Sequence, residues 1–253
     1  MLSVRNLHVT LGNRQILKGV DFDLKDGESL VILGCSGTGK SVLLKSILGL
    51  IPKQYGKIVV DGIDIDQVHK DERSKILSSI GMLFQGGALF DSLPVWENVA
   101  FGLIYGRGMK LQDAKEIAID KLTLVDLDKQ IALLYPPALS GGMLKRVGLA
   151  RALASMPRII FFDEPTTGLD PITSNIVNDL IVKYVKHSDL GAITITHDLT
   201  CLRKIADTVA FLFDGKIIWT GSIQGMDCTE NPYVRQFIDA IPIGPLTTKK
   251  HLK

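Results

Sequence analysis

The chain opens with two alternating segments. Leu7, Val9 and Leu11, then Val20, Phe22 and Leu24, stand two apart with polar residues between them. That period buries one face of a strand, and Gly12-Asn13 between the segments is a hairpin signal. Ser29–Leu33 is instead a short, nearly solid apolar run, which predicts a strand buried on both faces. From Lys40 to Leu50 apolar positions recur at helical spacing and stop near Pro52. Strands are predicted over residues 57–65, around Asp61-Gly62, and over 80–84, ending at Gln85.

From about residue 86 to 155 strand signals vanish and helical periodicity takes over. Val95–Leu103 is one predicted helix. Leu111, Ala114, Ala118, Leu122 and Val125 form a stripe on a second, and Leu144, Val147, Ala150 and Ala154 a stripe on a third. This texture predicts a helical subdomain inserted into an α/β core. The core resumes with a strand at Ile159–Phe162, a helix at Ile172–Val185 and a strand at Ala192–Thr196. Val209–Phe213 and Ile217–Thr220 are predicted to pair around Asp214-Gly215. A helix near Val234–Ala240 and a tail punctuated by Pro242, Gly244 and Pro245 follow.

Composition narrows the classes. Lys+Arg is 29 and Asp+Glu 27, a net of +2, so the basic excess of a nucleic-acid binder is missing. The cluster Lys249-Lys250-His251-Leu252-Lys253 reads as a solvated terminus. The mean hydropathy of +0.22 fits a large buried sheet or a surface that docks on something apolar. Apolar runs reach only about five residues, as at Val209–Phe213, whereas a spanning helix needs roughly 20. Any membrane role therefore calls for a partner. Cys35, Cys201 and Cys228 are few, odd in number and far apart, which argues against a disulfide framework and for a reducing cytoplasm.

The strongest chemical signal is Gly34-Cys35-Ser36-Gly37-Thr38-Gly39-Lys40-Ser41, a match to G-x-x-x-x-G-K-[ST] between a buried strand and a helix. Its glycines let successive N–H groups point at phosphate oxygens, and the helix N-terminus favours an anion. Lys40 supplies a point charge to the β- and γ-phosphates, and the Ser41 hydroxyl is suited to Mg²⁺. A second signal is Ile159-Ile160-Phe161-Phe162-Asp163-Glu164, an apolar strand ending in two carboxylates. Asp163 falls where Mg²⁺ would sit over a phosphate loop. Glu164 is placed to accept a proton from an attacking water.

Between these signals lie Leu139-Ser140-Gly141-Gly142-Met143 and Gln85, and after them Pro165-Thr166-Thr167-Gly168-Leu169-Asp170-Pro171 and Thr196-His197-Asp198. This ordered set resembles the nucleotide-binding ATPase subunits of ABC transporters over residues 2–225. The resemblance implies an α/β P-loop NTPase core with an antiparallel β subdomain and the inserted helical subdomain. The ATPase domain would cover 1–225 and a C-terminal helix and tail 226–253. It further implies ATP and Mg²⁺ as cofactors. Gly34, Cys35, Ser36, Gly37, Thr38, Gly39, Lys40 and Ser41 would hold the phosphates. Ser41, Gln85 and Asp163 would serve the metal. Glu164 would be the general base, with Gln85 on the attacking water and His197 on the γ-phosphate. Ser140, Gly141 and Gly142 would reach the ATP of a second copy of the chain, and Asp170 would couple the two sites. Met143 departs from the family's glutamine, and Leu11 stands where many members stack an aromatic on adenine.

Phe84-Gln85-Gly86-Gly87-Ala88-Leu89-Phe90, Val95-x-x-Asn98-Val99, Leu-Ser-Gly-Gly-Met, Asp170-Pro171-Ile172-Thr173, Val234-Arg235-Gln236-Phe237-Ile238-Asp239 and Gly244-Pro245 resemble one subgroup. It is the ATPase of Mla-type phospholipid transporters. That implies a peripheral subunit on the cytoplasmic face of the inner membrane. Its partners would be an integral membrane permease docking around Gly86–Phe101, an MCE-domain lipid-binding protein and an accessory subunit, with no nucleic acid. The ATPase of another ABC importer or exporter, and a soluble non-transport ABC ATPase, are the alternatives.

Overall fold

The computed structural model describes residues 1–187 and 189–247; the basic cluster 249–253 lies outside them. Among the described residues, ten strands form two sheets. The alternating N-terminal segments become β1 (Leu2–Leu11) and β2 (Arg14–Leu24), an antiparallel pair. β4 (Tyr55–Val60) and β5 (Ile63–Asp64) extend this pair in the order β2-β1-β4-β5.

The second sheet contains the fully buried runs. Its members are β3 (Ser29–Leu33), β6 (Ile80–Leu83), β7 (Ile159–Asp163), β8 (Gly191–Thr196), β9 (Thr208–Phe213) and β10 (Lys216–Gly221). Their order is β10-β9-β3-β8-β7-β6, parallel throughout except for the β10–β9 hairpin. Successive side chains of a strand point to opposite faces, so alternate residues serve different cores. Val31, Leu33, Ile160, Phe162 and Phe211 join the helical side. Leu30, Ile32, Phe161, Ile193 and Leu212 join the side of the antiparallel sheet. A solid apolar run is the sequence signature of this two-sided burial.

The helices are α1 (Lys40–Ile47), α2 (Lys70–Leu77), α3 (Val95–Phe101), α4 (Leu111–Leu124), α5 (Gly141–Ala154), α6 (Pro171–His187), α7 (Leu199–Ile205), α8 (Ile223–Cys228) and α9 (Pro232–Ile238). A π-helical turn, Gly102–Gly106, continues α3. α3, α4 and α5 pack on one another through Val95, Val99, Ala114, Ala118, Leu122, Val147 and Ala150, all essentially inaccessible. Some sequence expectations need correction. α1 ends at Ile47 rather than Leu50. Leu111 begins its helix largely exposed, so the predicted stripe is buried only from Ala114 onward. α2, α7 and α8 have no counterpart among the sequence-predicted elements. The 225/226 boundary falls inside α8, and Met226 and Val234 are fully buried in the main core.

Candidate active site

Four of the five loops that leave the carboxyl edge of the parallel strands, where open α/β sheets gather ligands, carry the candidate residues. The phosphate loop follows β3, and Glu164 directly follows the end of β7 at Asp163. His197 follows β8, and Gln85 stands two residues beyond β6. Because β8 lies between β3 and β7, it carries His197 to a point between the other two loops.

The loop conformation demands its glycines. Gly39 is the residue before α1, at φ 100°. A Cβ there would lie 2.8 Å from Ile16 Cγ2, so a side chain is excluded both by backbone strain and by space. A Cβ on Gly34 would lie 2.4 Å from the carbonyl oxygen of Leu212. Lys40 is 6% exposed. Its ammonium donates to the carbonyls of Gly34 (2.7 Å) and Cys35 (3.0 Å) and lies 3.9 Å from Glu164 Oε1. Burial pushes the Lys40 pKa below its ordinary value, and Glu164 pulls it back up. Burial raises the Cys35 thiol, with Lys40 opposing.

Ser41 Oγ donates to Asp163 Oδ1 at 3.1 Å. Burial raises the Asp163 carboxyl, partly offset by that hydroxyl. A hydroxyl and a carboxylate side by side beneath a phosphate loop suit Mg²⁺, which takes few protein oxygens and completes its shell with water and phosphate. Glu164 is 9% exposed and stands at φ 51°, a left-handed backbone that is costly for a residue with a Cβ. Thr167 Oγ1 donates to its Oε2 at 2.7 Å, and His197 Nδ1 lies 3.0 and 2.8 Å from its two oxygens.

Two adjoining cavities, of 450 and 330 Å³, share Ile16, Ser36 and Gly37. The smaller is lined by Lys40, Ser41, Gln85, Glu164 and His197. The larger runs past Arg14, Gln15 and Cys35 to Phe213–Gly215 and Leu246. The structure thus brings the phosphate loop, Gln85, Glu164 and His197 around one space, with Asp163 behind Ser41.

Ser140, Gly141 and Gly142 line neither cavity. Ser140 caps α5, its Oγ accepting from Met143 N at 3.3 Å. Gly142 abuts α6, where an added Cβ would lie 2.3 Å from Thr173 Cγ2. Asp170 is also outside both cavities. It accepts from the backbone of Ile172 and Thr173 and from the Thr173 hydroxyl, which holds its carboxyl below the ordinary range.

Sequence reasoning missed Thr167, Lys145 and Arg151. Thr167 carried a signal, standing three residues after Glu164 in the quoted Pro-Thr-Thr-Gly-Leu-Asp segment. The two cations lie on α5, which is buried around most of its circumference. A lysine and an arginine on a predicted helix otherwise read as solvated.

The family model described as "ABC transporter" matches residues 17–167. The chain belongs to this family, and it is an ATP-binding, ATP-hydrolysing subunit of that class. Among curated relatives, it is 38% identical to the "Probable ribonucleotide transport ATP-binding protein mkl" of Mycobacterium leprae, over 97% of this chain and 70% of that protein. It is 36% identical to the "Intermembrane phospholipid transport system ATP-binding protein MlaF" of Escherichia coli K12, over 97% of this chain and 91% of that protein. Among solved structures, the ATP-binding cassette MJ0796, a dimer in a post-hydrolysis state bound to ADP and Pi, superposes with a TM-score of 0.80. The two share 32% identity over 88% of this chain and 99% of that one.

Proposed function

We propose that this chain is the ATP-hydrolysing subunit of a transporter that moves phospholipid between the two membranes of a cell envelope. The observation that carries this reading is the match to the intermembrane phospholipid relative across 91% of that protein's length. The motif variants shared with Mla-type ATPases, from Gly86-Gly87-Ala88-Leu89-Phe90 to Gly244-Pro245, support it. The mycobacterial relative's name points to ribonucleotides instead, which makes the cargo the decisive variable.

The site residues suit hydrolysis as follows. Backbone N–H groups of residues 36–41 and the Lys40 ammonium bind the phosphates. Ser41 and Asp163, with Gln85 beside them, would hold Mg²⁺, which when bound neutralises phosphate charge. Glu164, fixed by Thr167 and His197, takes the proton of a water as its oxygen bonds to the γ-phosphorus. The bond from that phosphorus to the β–γ bridging oxygen breaks, leaving ADP and phosphate. The His197 ring, half exposed, faces the same cavity and reaches the γ-phosphate. Ser140–Gly142, at the N-terminus of a 14-residue helix and away from their own cavity, suit the phosphate of a second copy, and Asp170 lies beside that contact.

The partner surface follows from Gln85. A groove of 780 Å³ is lined by Met82, Phe84, Ala88, Phe90, Phe101 and Arg107, among others. Phe90 stacks on Phe101 at 4.5 Å yet remains 44% exposed. Val95 and Asn98 of the same stretch are fully buried, so they hold the subdomain together rather than face a partner. No helix among the described residues is long and apolar enough to cross a membrane. The groove fits an apolar helix of an integral permease, which would place the chain on the cytoplasmic face of the inner membrane. An MCE-domain protein and an accessory subunit complete the proposed assembly.

The test is purification of the complex from membranes, identification of its subunits, and transfer of labelled phospholipid or ribonucleotide on ATP addition. Phospholipid transfer with a co-purifying permease is expected. Phe90→Asp should lose the permease while still binding ATP. Ribonucleotide transfer without lipid transfer would overturn the proposal.

A further inference from the structure

We propose that Lys145 is a positioning residue for hydrolysis: its ammonium ties the backbone of Gln85 to that of Glu164, so that helix α5 sets the geometry of both at once. The inference rests on the reading of Gln85 and Glu164 given above.

Lys145 lies on α5 but outside the nucleotide cavities, and it is 6% exposed. Its Nζ donates to the carbonyl of Gln85 and, at 3.2 Å, to the carbonyl of Glu164. Burying an ammonium is costly unless it is well paired, and an apolar side chain would fill the same space without that cost. What the amine adds is a link between two loops from different strands.

Both loops need such a link. Glu164 stands at φ 51°, and few bonds hold that strained backbone. Its N–H donates to Ile195 O at 2.9 Å, while its carbonyl accepts from Thr167 N at 3.3 Å and from Lys145. The Gln85 loop also contains a left-handed residue, Ala88 at φ 50°. Arg151, on the same helix, donates to Ala88 O and Gly87 O, both at 2.7 Å. Between the two cations, Gly148 lets the helix lie close on the end of β6 and on the loop after it; a Cβ there would lie 2.7 Å from Leu83 Cδ1 and 3.5 Å from Gly87 Cα. The helix therefore grips the Gln85 loop at two points and Glu164 at one. Ser140–Gly142 open that same helix, so a shift at its N-terminus moves both catalytic loops.

The experiment measures kcat and KM for ATP on the full chain carrying Lys145→Met or Lys145→Gln, each also combined with Glu164→Gln. Misplacing a catalytic group by about 1 Å costs about 10²-fold. Lys145→Met should lower kcat about 10- to 100-fold with KM within about 3-fold of wild type. Lys145→Gln, which keeps N–H donors one bond shorter, should lose less. In the Glu164→Gln background, Lys145→Met should add little, because groups acting as a unit are not additive. A wild-type kcat for Lys145→Met, a parallel rise in KM, or full additivity would overturn the proposal. If Lys145→Met does not fold, Lys145→Gln decides alone: a loss in kcat of about 3-fold or more at constant KM supports it, and an unchanged kcat overturns it. Glu164→Gln by itself tests the underlying reading, so the two failures are distinguishable.

Discussion

His197 Nδ1 lies 2.8 Å from Glu164 Oε2 and 3.0 Å from Oε1, across the gap between the ends of β8 and β7. A carboxylate only accepts, so Nδ1 is the donor in this contact, and the same ring lines the smaller cavity. In the proposed mechanism the ring orients the carboxylate with one nitrogen and serves the γ-phosphate with the other. His197→Ala should lower kcat by about 10²-fold or more while KM for ATP moves by less than about 3-fold. Steady-state phosphate release against ATP concentration checks this, and a change confined to KM would contradict it.

Asp163 gives a pH signature of opposite sign to an ion-paired carboxylate. Burial raises its pKa in the folded chain. Above the unfolded value of about 3.9 the folded state holds a proton more tightly than the unfolded one. Stability therefore falls as pH rises from that value through the raised folded value. Asp163→Asn removes the penalty. Its thermal midpoint should exceed that of wild type at pH 7. The gain should shrink as pH approaches 4. Melting curves of both proteins across that range without nucleotide test it; a pH-independent difference would contradict it.

The cysteines should react in a fixed order. Cys228 is exposed. Cys35 is half-buried in the phosphate loop, its thiol raised by burial. Cys201 is fully buried, hydrogen-bonded to Asn178 Oδ1 at 3.1 Å, and its pKa is pushed up to about 12. Since the thiolate is the nucleophile, alkylation at neutral pH should label Cys228 first, Cys35 slowly, and Cys201 only after unfolding. ATP should slow Cys35 labelling specifically. Peptide mapping over time reads the order.

The parallel sheet and the phosphate loop were legible because their causes are local. A strand buried on both faces must be apolar at every position, as Ile159–Phe162 is. A loop that curls around phosphate must place glycine at the position of Gly39. α2 was illegible for the converse reason: none of its residues is buried, and Lys70-Asp71-Glu72-Arg73 prints no apolar face. Lys145 was hidden by its helix. The stripe Leu144, Val147, Ala150 and Ala154 implies one buried side, whereas α5 is covered on nearly all sides, and only the Gln85 and Glu164 loops reveal what a buried lysine does there.

In the proposed mechanism Glu164 takes the proton of the water that attacks ATP bound at Lys40 and Ser41. Glu164→Gln keeps the shape and the contacts to Thr167 and His197 but loses the base. ATP affinity and phosphate release, measured on the same preparation of the assembled complex, test it most directly. Affinity within about 3-fold of wild type, with turnover slower by about 10²-fold or more, is the predicted result. Turnover at the wild-type rate would rule Glu164 out as the base.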